Sequence, residues 1–390
     1  MKIAYVSHTR FPNQKAHGHQ IARVCEALIT LGHEVTLVAP DVHNPVRKDH
    51  VEYYDLKTAF HADHLPTFDA LHSRAIPGRF AFAFTMHSYR GSLREYFADR
   101  SFDLLYARSP QVVGVLVKTG IPVLLELHTL PSIGRSRFVA LCNKCRRIVC
   151  LTSPMRDQLV SWGVRKNIVI VEGDAVDLAR FATLPSPKKA RHHFGVPEGR
   201  PVVGYVGSLV TMDHIGKGVD VLLQAAAILR SSNTPVFVFV VGGPEEYIAK
   251  LRVLVIDAGL RDDDVFFYGP VATALVPDAI AACDICVYPA PTSNKPYFLR
   301  DTSPLKLFEY LAAGRPVVCA DLPPLHDVFS KDIVRFCHPG SAASLAGGIS
   351  DVLEHPKEAL DRVERGRKIV KEHTWEKRMA RILRELKIKN

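Results

Sequence analysis

The chain has 390 residues, a length that predicts two domains of ordinary size rather than one core. Hydrophobic residues make up 47% of it and charged residues 23%, a balance typical of a folded globular protein. The formal net charge of +10 favours an anionic partner. Because no nucleic-acid recognition module accompanies that charge, the sequence predicts no binding to nucleic acid.

The apolar runs and the cysteines indicate the compartment. The longest apolar runs, such as residues 235–241, have the length of a strand and not of a membrane span. The chain enters a strand pattern directly after Met1, so we expect no signal peptide. Cys142 and Cys145 resemble half of a zinc knuckle, but no second pair follows at suitable spacing. We therefore expect reduced thiols, no metal and a cytoplasmic protein, either free or peripheral to the inner face of the membrane.

Strand and helix patterns alternate along the first half of the chain. A helix is predicted over about residues 20–31, and Gly32 is its expected stop. The predicted strands are residues 2–6, 34–38, 104–107, 123–126, 147–150 and 168–171. Such alternation favours a parallel sheet covered by helices.

A second alternating series follows a stretch around residues 184–200 that is rich in proline and charge and is predicted to be a linker. Its predicted strands are residues 201–206, 236–241, 265–268, 284–288 and 317–320. The sequence thus predicts an α/β protein of two Rossmann-like domains, residues 1–190 and 191–373, whose parallel sheets face a central cleft. The helix over residues 374–390 is expected to complete the first domain.

The most informative stretch is residues 302–318, TSPLKLFEYLAAGRPVV. Ser303 is predicted to be the N-cap of a helix of about three turns, with Pro304 at its first position and Gly314 at its end. Its expected buried stripe consists of Leu305, Phe308, Leu311 and Ala312.

Lys306 and Glu309 are expected on another side of this helix. The free amides and the dipole at its N-terminus favour a phosphate, and Glu309 could accept hydrogen bonds from two vicinal sugar hydroxyls. A surface ion pair between the two side chains is the alternative, although Lys before Glu is the less favourable order at this spacing. The residues alone leave both interpretations open.

Lys217 also bears on the question of whether this region binds a phosphate. A strand is predicted to end at Gly207–Ser208, and the next helix opens near Gly218, so Lys217 lies where a cation opposes the helix dipole. It is either a solvated loop lysine or the ligand of a diphosphate.

In the first half, the loop after the first strand carries His17 and Gly18 but no Gly-x-Gly-x-x-Gly pattern, which argues against NAD or FAD. Arg108, Glu126 and His128 follow the ends of two later strands. His128 either acts on a proton or a hydroxyl group, or is an ordinary loop histidine.

Residues 72–100 combine basic and aromatic side chains. They form either an amphipathic surface helix or a contact with an anionic acceptor or a membrane surface.

Taken together, these stretches resemble the retaining glycosyltransferases of family 4, which have the GT-B fold. The resemblance is collinear through ELH, GDAVDLARF, YVGSL, GKGVDVLL and YGPV, and ends in the terminal WEKRMARI. KLFEYLAAGRPVV is its most specific piece. It implies a nucleotide-diphosphate sugar as co-substrate, with UDP or GDP favoured, and a donor site mainly in the second domain.

The resemblance assigns roles in the second domain. Glu309 matches the carboxylate that binds the donor ribose, and Asp301 takes the place of the family's usual first Glu. Lys217 matches the lysine that compensates the diphosphate, whereas Ser208 replaces the arginine usually paired with it. The segment Ser303, Pro304, Leu305 and Lys306 would supply further phosphate contacts.

In the first domain, His128 matches the histidine near the donor sugar. Gly18 matches one glycine of a pair, and His17 stands where the other would be. Arg108 and Glu126 are further candidates for the acceptor or the cleft.

The implied reaction retains the anomeric configuration without a metal or another cofactor. The acceptor hydroxyl attacks on the face from which the nucleotide leaves, and Lys217 and the helix amides stabilise the diphosphate. The acceptor would carry a hydroxyl and could be anionic or lipid-linked. Two alternatives stay open: a nucleotide-sugar epimerase of GT-B fold, and a non-catalytic protein that binds sugar nucleotides.

Overall fold

The structure is a computed structural model that describes residues 1–72, 76–211 and 214–387, except for the side chains of Arg79 and Lys387. Its first elements are β1 (Lys2–Val6), α1 (Ala16–Thr30), β2 (Glu34–Asp41), α2 (His50–Tyr54), β3 (His61–Pro66), α3 (Gly78–Ala98), β4 (Leu104–Ala107), α4 (Pro110–Leu116), β5 (Val123–Leu127), α5 (Arg135–Cys142), β6 (Arg147–Cys150), α6 (Ser153–Ser161) and β7 (Val169–Val171).

The chain continues with α7 (Pro187–Phe194), β8 (Val202–Val206), β9 (Val210–Thr211), β10 (Ile215–Gly216), α8 (Val219–Ser231), β11 (Phe237–Val241), α9 (Glu245–Asp257), β12 (Val265–Gly269), α10 (Val276–Ala281), β13 (Ile285–Tyr288), α11 (Leu305–Ala312), β14 (Val317–Ala320), β15 (Arg335–Cys337), α12 (Ala342–Glu354), α13 (Pro356–Glu372) and α14 (Trp375–Lys387).

The described residues form two large, fully parallel sheets and a small antiparallel pair of β9 and β10, and every central strand predicted from the sequence is present. One sheet has the order β3-β2-β1-β4-β5-β6-β7 and the other the order β12-β11-β8-β13-β14-β15. In both, the strand order reverses beside the first strand, as in doubly wound Rossmann-like folds. The predicted fold class is confirmed.

The second sheet shows why its strands read as continuous apolar runs. Val202 and Val206 of β8 pack into one hydrophobic cluster, and Val203 and Tyr205 pack into another. Successive side chains of a strand point to opposite faces, so β8 is buried on both sides. Polar side chains can therefore gather only at the ends of such strands.

The chain divides into two compact units, Met1–Gly173 with the terminal helix α14, and Asp174–Thr374. The expected boundary after residue 190 is thus too late, and the predicted linker contains α7. The Ser186 side chain caps this helix by accepting from the Lys189 N–H. Ala190 and Phe194 anchor it in the core of the second unit.

Helix α14 is held in the first unit by arginines at its carbonyl end. Arg147 donates to the Glu385 carbonyl at 3.0 Å, and Arg146 donates to that of Leu386 at 3.4 Å. The last carbonyls of a helix have no partner within it, so these guanidinium groups cap α14.

Three local features differ from the expectation. Strands β3 and β15 were not predicted because both are edge strands that lack an apolar run of strand length: β3 is polar, HADHLP, and β15 has only three residues, RFC. Helix α1 begins at Ala16 instead of about residue 20, which places Gly18 inside its first turn.

All eight cysteines are buried, as expected. Among the helices of the described residues, none combines the length and the apolar character needed to cross a bilayer.

Gly218 gives a test of the fold around α8. Its φ is +84°, and a Cβ there would come within 2.7 Å of the Ala290 backbone nitrogen. We expect Gly218→Ala to lower the free energy of unfolding by about 3 kcal/mol, through left-handed strain and overpacking. Chemical denaturation measures this change.

Gly347, which is exposed within α12 and has no neighbour within 4 Å of an added Cβ, is the matched control. Gly347→Ala should raise stability by up to about 1 kcal/mol because Ala is the better helix former. Equal effects of the two substitutions would contradict the packing described for Gly218.

Candidate functional site

Helix α11 begins one residue later than expected, and Ser303 does not cap it. The N-cap position falls on Pro304, whereas the Ser303 Oγ accepts from the Asp174 N–H at 2.8 Å. Ser303 therefore fixes the start of the second unit against the segment before α11. The first amides of α11, at Leu305 and Lys306, remain those that a helix cannot bond internally.

Lys306 is buried, contrary to the expectation that it lies beside the apolar stripe. Its ammonium donates to the Tyr205 hydroxyl and lies 3.9 Å from the centre of that ring. The Tyr205 hydroxyl in turn donates to the Ser208 carbonyl at 2.7 Å. Lys306 thus lies directly beneath the loop that follows β8.

The apolar stripe of α11 also differs from the prediction. Leu305 and Ala312 are only half-buried, while the buried residues are Lys306, Leu307, Phe308, Tyr310 and Leu311. Helix α11 is buried around most of its circumference because it packs between β14 and α13. A helix in that position can bury a lysine only if the ammonium has a polar partner, which Tyr205 supplies.

Glu309 pairs with a residue that the sequence analysis missed. Its carboxylate lies 3.5 Å from the guanidinium of Arg180, whose other nitrogen donates to the Thr273 carbonyl. Burial raises the pKa of Glu309, and Arg180 and then Lys306 oppose that rise. Arg180 stands within GDAVDLARF, but nothing local to that motif indicates a partner so distant in sequence.

The alternative interpretation of the sequence, a surface ion pair between Lys306 and Glu309, is therefore wrong. Within the described residues, the Lys306 ammonium has no carboxylate within ion-pair distance, because Glu309 is engaged by Arg180. Burial, and next the charge of Lys217, hold the pKa of Lys306 well below its usual value, while Glu309 opposes them.

Lys217 and Ser208 lie at the same edge of the second sheet. The Lys217 N–H donates to the Leu209 carbonyl at 3.0 Å, and its ammonium lies 5.7 Å from the centre of the Tyr297 ring. The Ser208 hydroxyl donates to the Val210 carbonyl. Two lysines thus approach each other beside the β8 loop and the N-terminus of α11.

A cavity of about 370 Å³ opens at the carboxyl ends of β8 and β11. It is lined by Val206, Gly207, Ser208, Val241, Gly242, Gly243, Pro244, Pro270, Val271 and Val276. A Cβ on Gly242 would lie 2.0 Å from the Gly207 carbonyl oxygen, so glycine is required where these two loops meet.

Asp301 is tied to its own neighbour. The Arg300 guanidinium donates to both of its carboxylate oxygens, at 2.5 and 3.0 Å. Burial raises the pKa of Asp301, and Arg300 opposes that rise. The structure thus gives Asp301 a charge partner on the chain itself.

In the first unit, Gly18 is required by close packing. A Cβ there would lie 2.2 Å from the Tyr54 hydroxyl and 2.7 Å from the Asn13 side-chain oxygen. Tyr54 holds the β1–α1 loop, because its hydroxyl accepts from the Asn13 N–H and donates to the Asn13 carbonyl, both at 2.7 Å.

Arg108, Glu126 and His128 come together as one network at the carboxyl ends of β4 and β5. The His128 Nε2 lies 2.6 Å from a Glu126 oxygen, and its Nδ1 lies 3.2 Å from Arg108 Nη2. A guanidinium can only donate, so Nδ1 accepts and Nε2–H donates to Glu126. His128 is therefore a neutral imidazole with both nitrogens engaged.

The electrostatics agree with that tautomer. Burial, and then Arg108, lower the pKa of His128 to about 4, although Glu126 opposes them. Burial also opposes ionisation of Glu126, but Arg378, His128 and Arg108 hold its pKa well below its usual value. Arg378 lies in α14 and was not predicted as a site residue, although WEKRMARI contains it.

His17 lies at the mouth of a cavity of about 410 Å³ in the first unit. Burial, and next Arg108, lower its pKa to about 4, so it is neutral at physiological pH. The β1–α1 loop contributes polar residues to this cavity. The rest of its lining is mixed, with Leu71, Phe82 and Met86 alongside Asp69, His43 and His72.

Cys142 and Cys145 are the two residues that resemble half of a zinc knuckle. Both thiols are buried, and burial raises the pKa of each, that of Cys145 to about 12. Over residues 1–72, 76–211 and 214–387, no group of three or more His, Cys, Asp or Glu side chains is arranged around a common metal position.

The two doubly wound parallel units, each with polar side chains at its carboxyl-end loops, define a GT-B glycosyltransferase fold. The model of Glycosyltransferase Family 4 matches residues 18–180, and that of Glycosyl transferases group 1 matches residues 187–369. The chain therefore belongs to the family 4 glycosyltransferases of GT-B fold, and the predicted resemblance to that family is confirmed.

Curated relatives agree with the family. A 2-deoxystreptamine glucosyltransferase of Streptomyces kanamyceticus is 29% identical over 53% of this chain and 50% of its own length. A D-inositol 3-phosphate glycosyltransferase of Gordonia bronchialis is 27% identical over 65% of this chain and 58% of its own length. The chain thus spans about half the length of these relatives. TuaC of Bacillus subtilis, a putative teichuronic acid biosynthesis glycosyltransferase, is 23% identical over 90% and 88%.

Solved structures show the same fold at low identity. HepE of Anabaena, in complex with UDP and glucose, superposes with a TM-score of 0.72 at 19% identity, over 98% of this chain and 99% of that one. The sucrose-phosphate synthase of Thermosynechococcus elongatus has a TM-score of 0.74 at 19% identity, over 99% and 98%.

Lys306 gives a test of the second unit. We expect Lys306→Met to raise the free energy of unfolding by about 1–3 kcal/mol, because it removes a buried cation that has no carboxylate partner. The sign of the pH dependence follows from the lowered pKa. Between the lowered pKa of folded Lys306 and the ordinary value of 10.5, the unfolded chain binds a proton that the folded chain does not, so wild-type stability should rise with pH in that window, and the variant should lack this slope.

Denaturation at several pH values measures both effects. Lys357→Met, at an exposed position of α13, serves as the control and should leave stability and its pH slope unchanged. A Lys306→Met protein less stable than wild type at every pH would contradict the burial cost assigned to this lysine.

Proposed function

We propose that this protein is a retaining glycosyltransferase that moves a sugar from a nucleotide-diphosphate sugar to an acceptor hydroxyl. The observation that carries the proposal is the charge imbalance beside the β8 loop. Lys217 and the buried Lys306 approach each other at the N-terminus of α11, and the nearest carboxylate, Glu309, is engaged by Arg180. A diphosphate would balance these charges.

Three parts of the donor would each have a binding position at this edge. The diphosphate would bind to the lysines and to the first amides of α11. Glu309, which Arg180 holds in place, would accept hydrogen bonds from the two ribose hydroxyls. The cavity beside Gly207 and Gly242 has an apolar lining suited to a planar base. Other proteins of this fold support this choice, since HepE was solved with UDP and glucose.

The reaction follows the front-face route. The acceptor oxygen forms a bond to the anomeric carbon while the bond from that carbon to the diphosphate oxygen breaks on the same face. The acceptor proton passes to an oxygen of the leaving diphosphate, whose charge Lys217 and the α11 amides stabilise. The configuration is retained, and no metal is needed because the lysines and the helix dipole supply the positive charge.

Two residues of the first unit support this route over a double displacement. A double displacement needs a carboxylate nucleophile, but Glu126 is buried and accepts from Arg378, His128 and Tyr106. His128 does not serve as a free base, since both of its nitrogens are engaged. We assign it to the donor sugar, where a hydroxyl would take the place of Arg108 at Nδ1.

The acceptor is proposed to enter the cavity beside His17. Its polar lining suits hydroxyl groups, and the apolar side chains of Leu71, Phe82 and Met86 could contact a hydrophobic part of the acceptor. Phe80 and Phe84 of α3 are exposed, and Arg94 and Arg137 lie close enough to lower the pKa of Arg90, after burial as the larger cause. These features favour an anionic or membrane-bound acceptor, although residues 73–75 and the Arg79 side chain lie outside the described part of segment 72–100.

Thermal shift with UDP-, GDP-, ADP- and TDP-sugars tests the class and the donor together. We expect one nucleotide to raise the melting temperature. Incubation of that donor without acceptor then separates the alternatives, because an epimerase interconverts the sugars unaided. Binding without transfer across an acceptor panel would indicate the non-catalytic alternative, and no stabilisation by any nucleotide sugar would overturn the proposal.

Lys217→Ala and Glu309→Ala test the site. Each should lower turnover by about 100- to 1000-fold, the loss typical of a group that stabilises charge in the transition state or fixes the substrate. Lys250→Ala, at an exposed position of α9, is the control and should keep full activity. Steady-state kinetics with matched melting curves measure the effect. Near-normal turnover in both site variants would refute the assignment.

A further inference from the structure

The carboxylate of Glu126 is a hub that joins three parts of the first unit. Glu126 lies in β5, and its oxygens accept from His128 Nε2 in the loop after that strand, from the Tyr106 hydroxyl of β4, and from Arg378 of the terminal helix α14. Only 3% of its side chain is exposed. A buried carboxylate of this kind is stable only while its charge is balanced.

Arg378 supplies most of that balance. Its nitrogens lie 3.1 Å from one Glu126 oxygen and 3.3 Å from the other, and its side chain is 1% exposed. The same guanidinium donates to the carbonyls of Gly173, at 2.7 Å, and Glu172, at 3.3 Å. These bonds fix the guanidinium, so its position relative to Glu126 does not depend on the flexibility of its side chain.

His128 lies between this pair and a second cation. Arg108 faces its Nδ1, Glu126 faces its Nε2, and Arg378 stands behind Glu126. His17 also interacts electrostatically with His128, while Tyr5 and Tyr106 lie beside Glu126. With Arg378 in place, Glu126 can orient the ring through one hydrogen bond without drawing a proton onto it.

We propose that Arg378 is a positioning residue of the glycosyl-transfer site: it neutralises Glu126, so that His128 is presented in one orientation as a neutral imidazole. This inference rests on the proposed function in giving His128 a place at the donor sugar. The terminal helix thus contributes to the site of the first unit through a residue that touches no substrate.

Removal of the Arg378 charge has a definite consequence. Glu126 then loses the strongest of the positive charges that act on it, and a proton on the His128 ring, 2.6 Å away, would replace that charge. The histidine that wild type keeps neutral should titrate near or above its ordinary pKa of 6.5 in Arg378→Gln. Arg378→Lys keeps the charge and should keep His128 neutral.

Histidine NMR of the full-length protein measures this directly. Protein labelled with ¹³C at histidine Cε1 is titrated from pH 5.5 to pH 8.5, and the His128 signal is assigned by its loss in His128→Gln. The matched control is Arg381→Gln in the same helix, which removes a bidentate ion pair to Glu172 at 2.7 and 3.0 Å without touching Glu126. It should destabilise the docking of α14 but leave the His128 titration as in wild type.

The pH dependence of glycosyl-transfer activity provides a second measurement. In Arg378→Gln, turnover at pH 6 relative to pH 8 should fall about fourfold or more below the wild-type ratio, because a pKa of 6.5 leaves about a quarter of the imidazole neutral at pH 6, while Arg381→Gln should follow wild type. Adding Glu126→Gln to Arg378→Gln removes both charges and should return His128 to the neutral state. Should Arg378→Gln not fold, Arg378→Met carries the same expectation.

Every result of these experiments either supports or overturns the role proposed for Arg378. A His128 signal that titrates in Arg378→Gln as it does in wild type would overturn the proposal, as would an equal shift in Arg381→Gln. Because the NMR titration needs no substrate, it would stand even if no donor sugar were turned over. The failure of the proposed function and the failure of this inference are therefore distinguishable.

Discussion

The chemistry of this protein depends on one constraint: its central strands are buried on both faces. A strand such as β8, whose side chains enter hydrophobic clusters on either side, has little room for a polar group away from its end. Polar residues are thereby gathered near the carboxyl ends of the strands and in the loops and helix starts that follow. In the second unit Ser208, Lys217 and Lys306 lie at one such edge, and in the first unit Arg108, Glu126 and His128 do.

The two edges manage charge in opposite ways. In the first unit, the Glu126 carboxylate has donors on both oxygens, and the neighbouring imidazole is neutral. In the second unit, the ammonium of a buried lysine meets a tyrosine hydroxyl and the faces of two tyrosine rings, but no carboxylate of the described residues lies within ion-pair distance of it. A fold tolerates such an imbalance at a cost in stability, and binding sites are where that cost is usually found. This contrast is the reason why we propose that the anionic donor binds to the second unit.

The sequence predicted the central strands well because each is a short apolar run with turn residues on either side. It predicted the edge strands β7 and β12, which have apolar runs, but missed β3 and β15, which have none of strand length and are held by pairing with one neighbour. It also treated the stretch around Ala190 and Phe194 as a linker, because proline and charge there conceal two residues that anchor α7.

The candidate site was predicted as a set of residues but not as a set of contacts. Glu309, Lys217 and His128 stand in motifs, whereas their partners do not. Arg180 reaches Glu309, and Arg378 reaches Glu126, across long separations in sequence that only the folded sheet brings together. The burial of Lys306 could not be read from α11 alone, because it depends on Tyr205 in another strand.

The docking of α14 has a consequence for the order in which the protein becomes complete. The first unit consists of residues synthesised first and of a helix synthesised after the whole second unit. Until residues 375–387 leave the ribosome, Glu126 lacks Arg378, and Arg146 and Arg147 lack the helix carbonyls that they cap. Domains generally fold in the order in which they emerge. Here the unit that begins first is finished last, and a nascent chain acquires its full charge balance only after the second unit has been made.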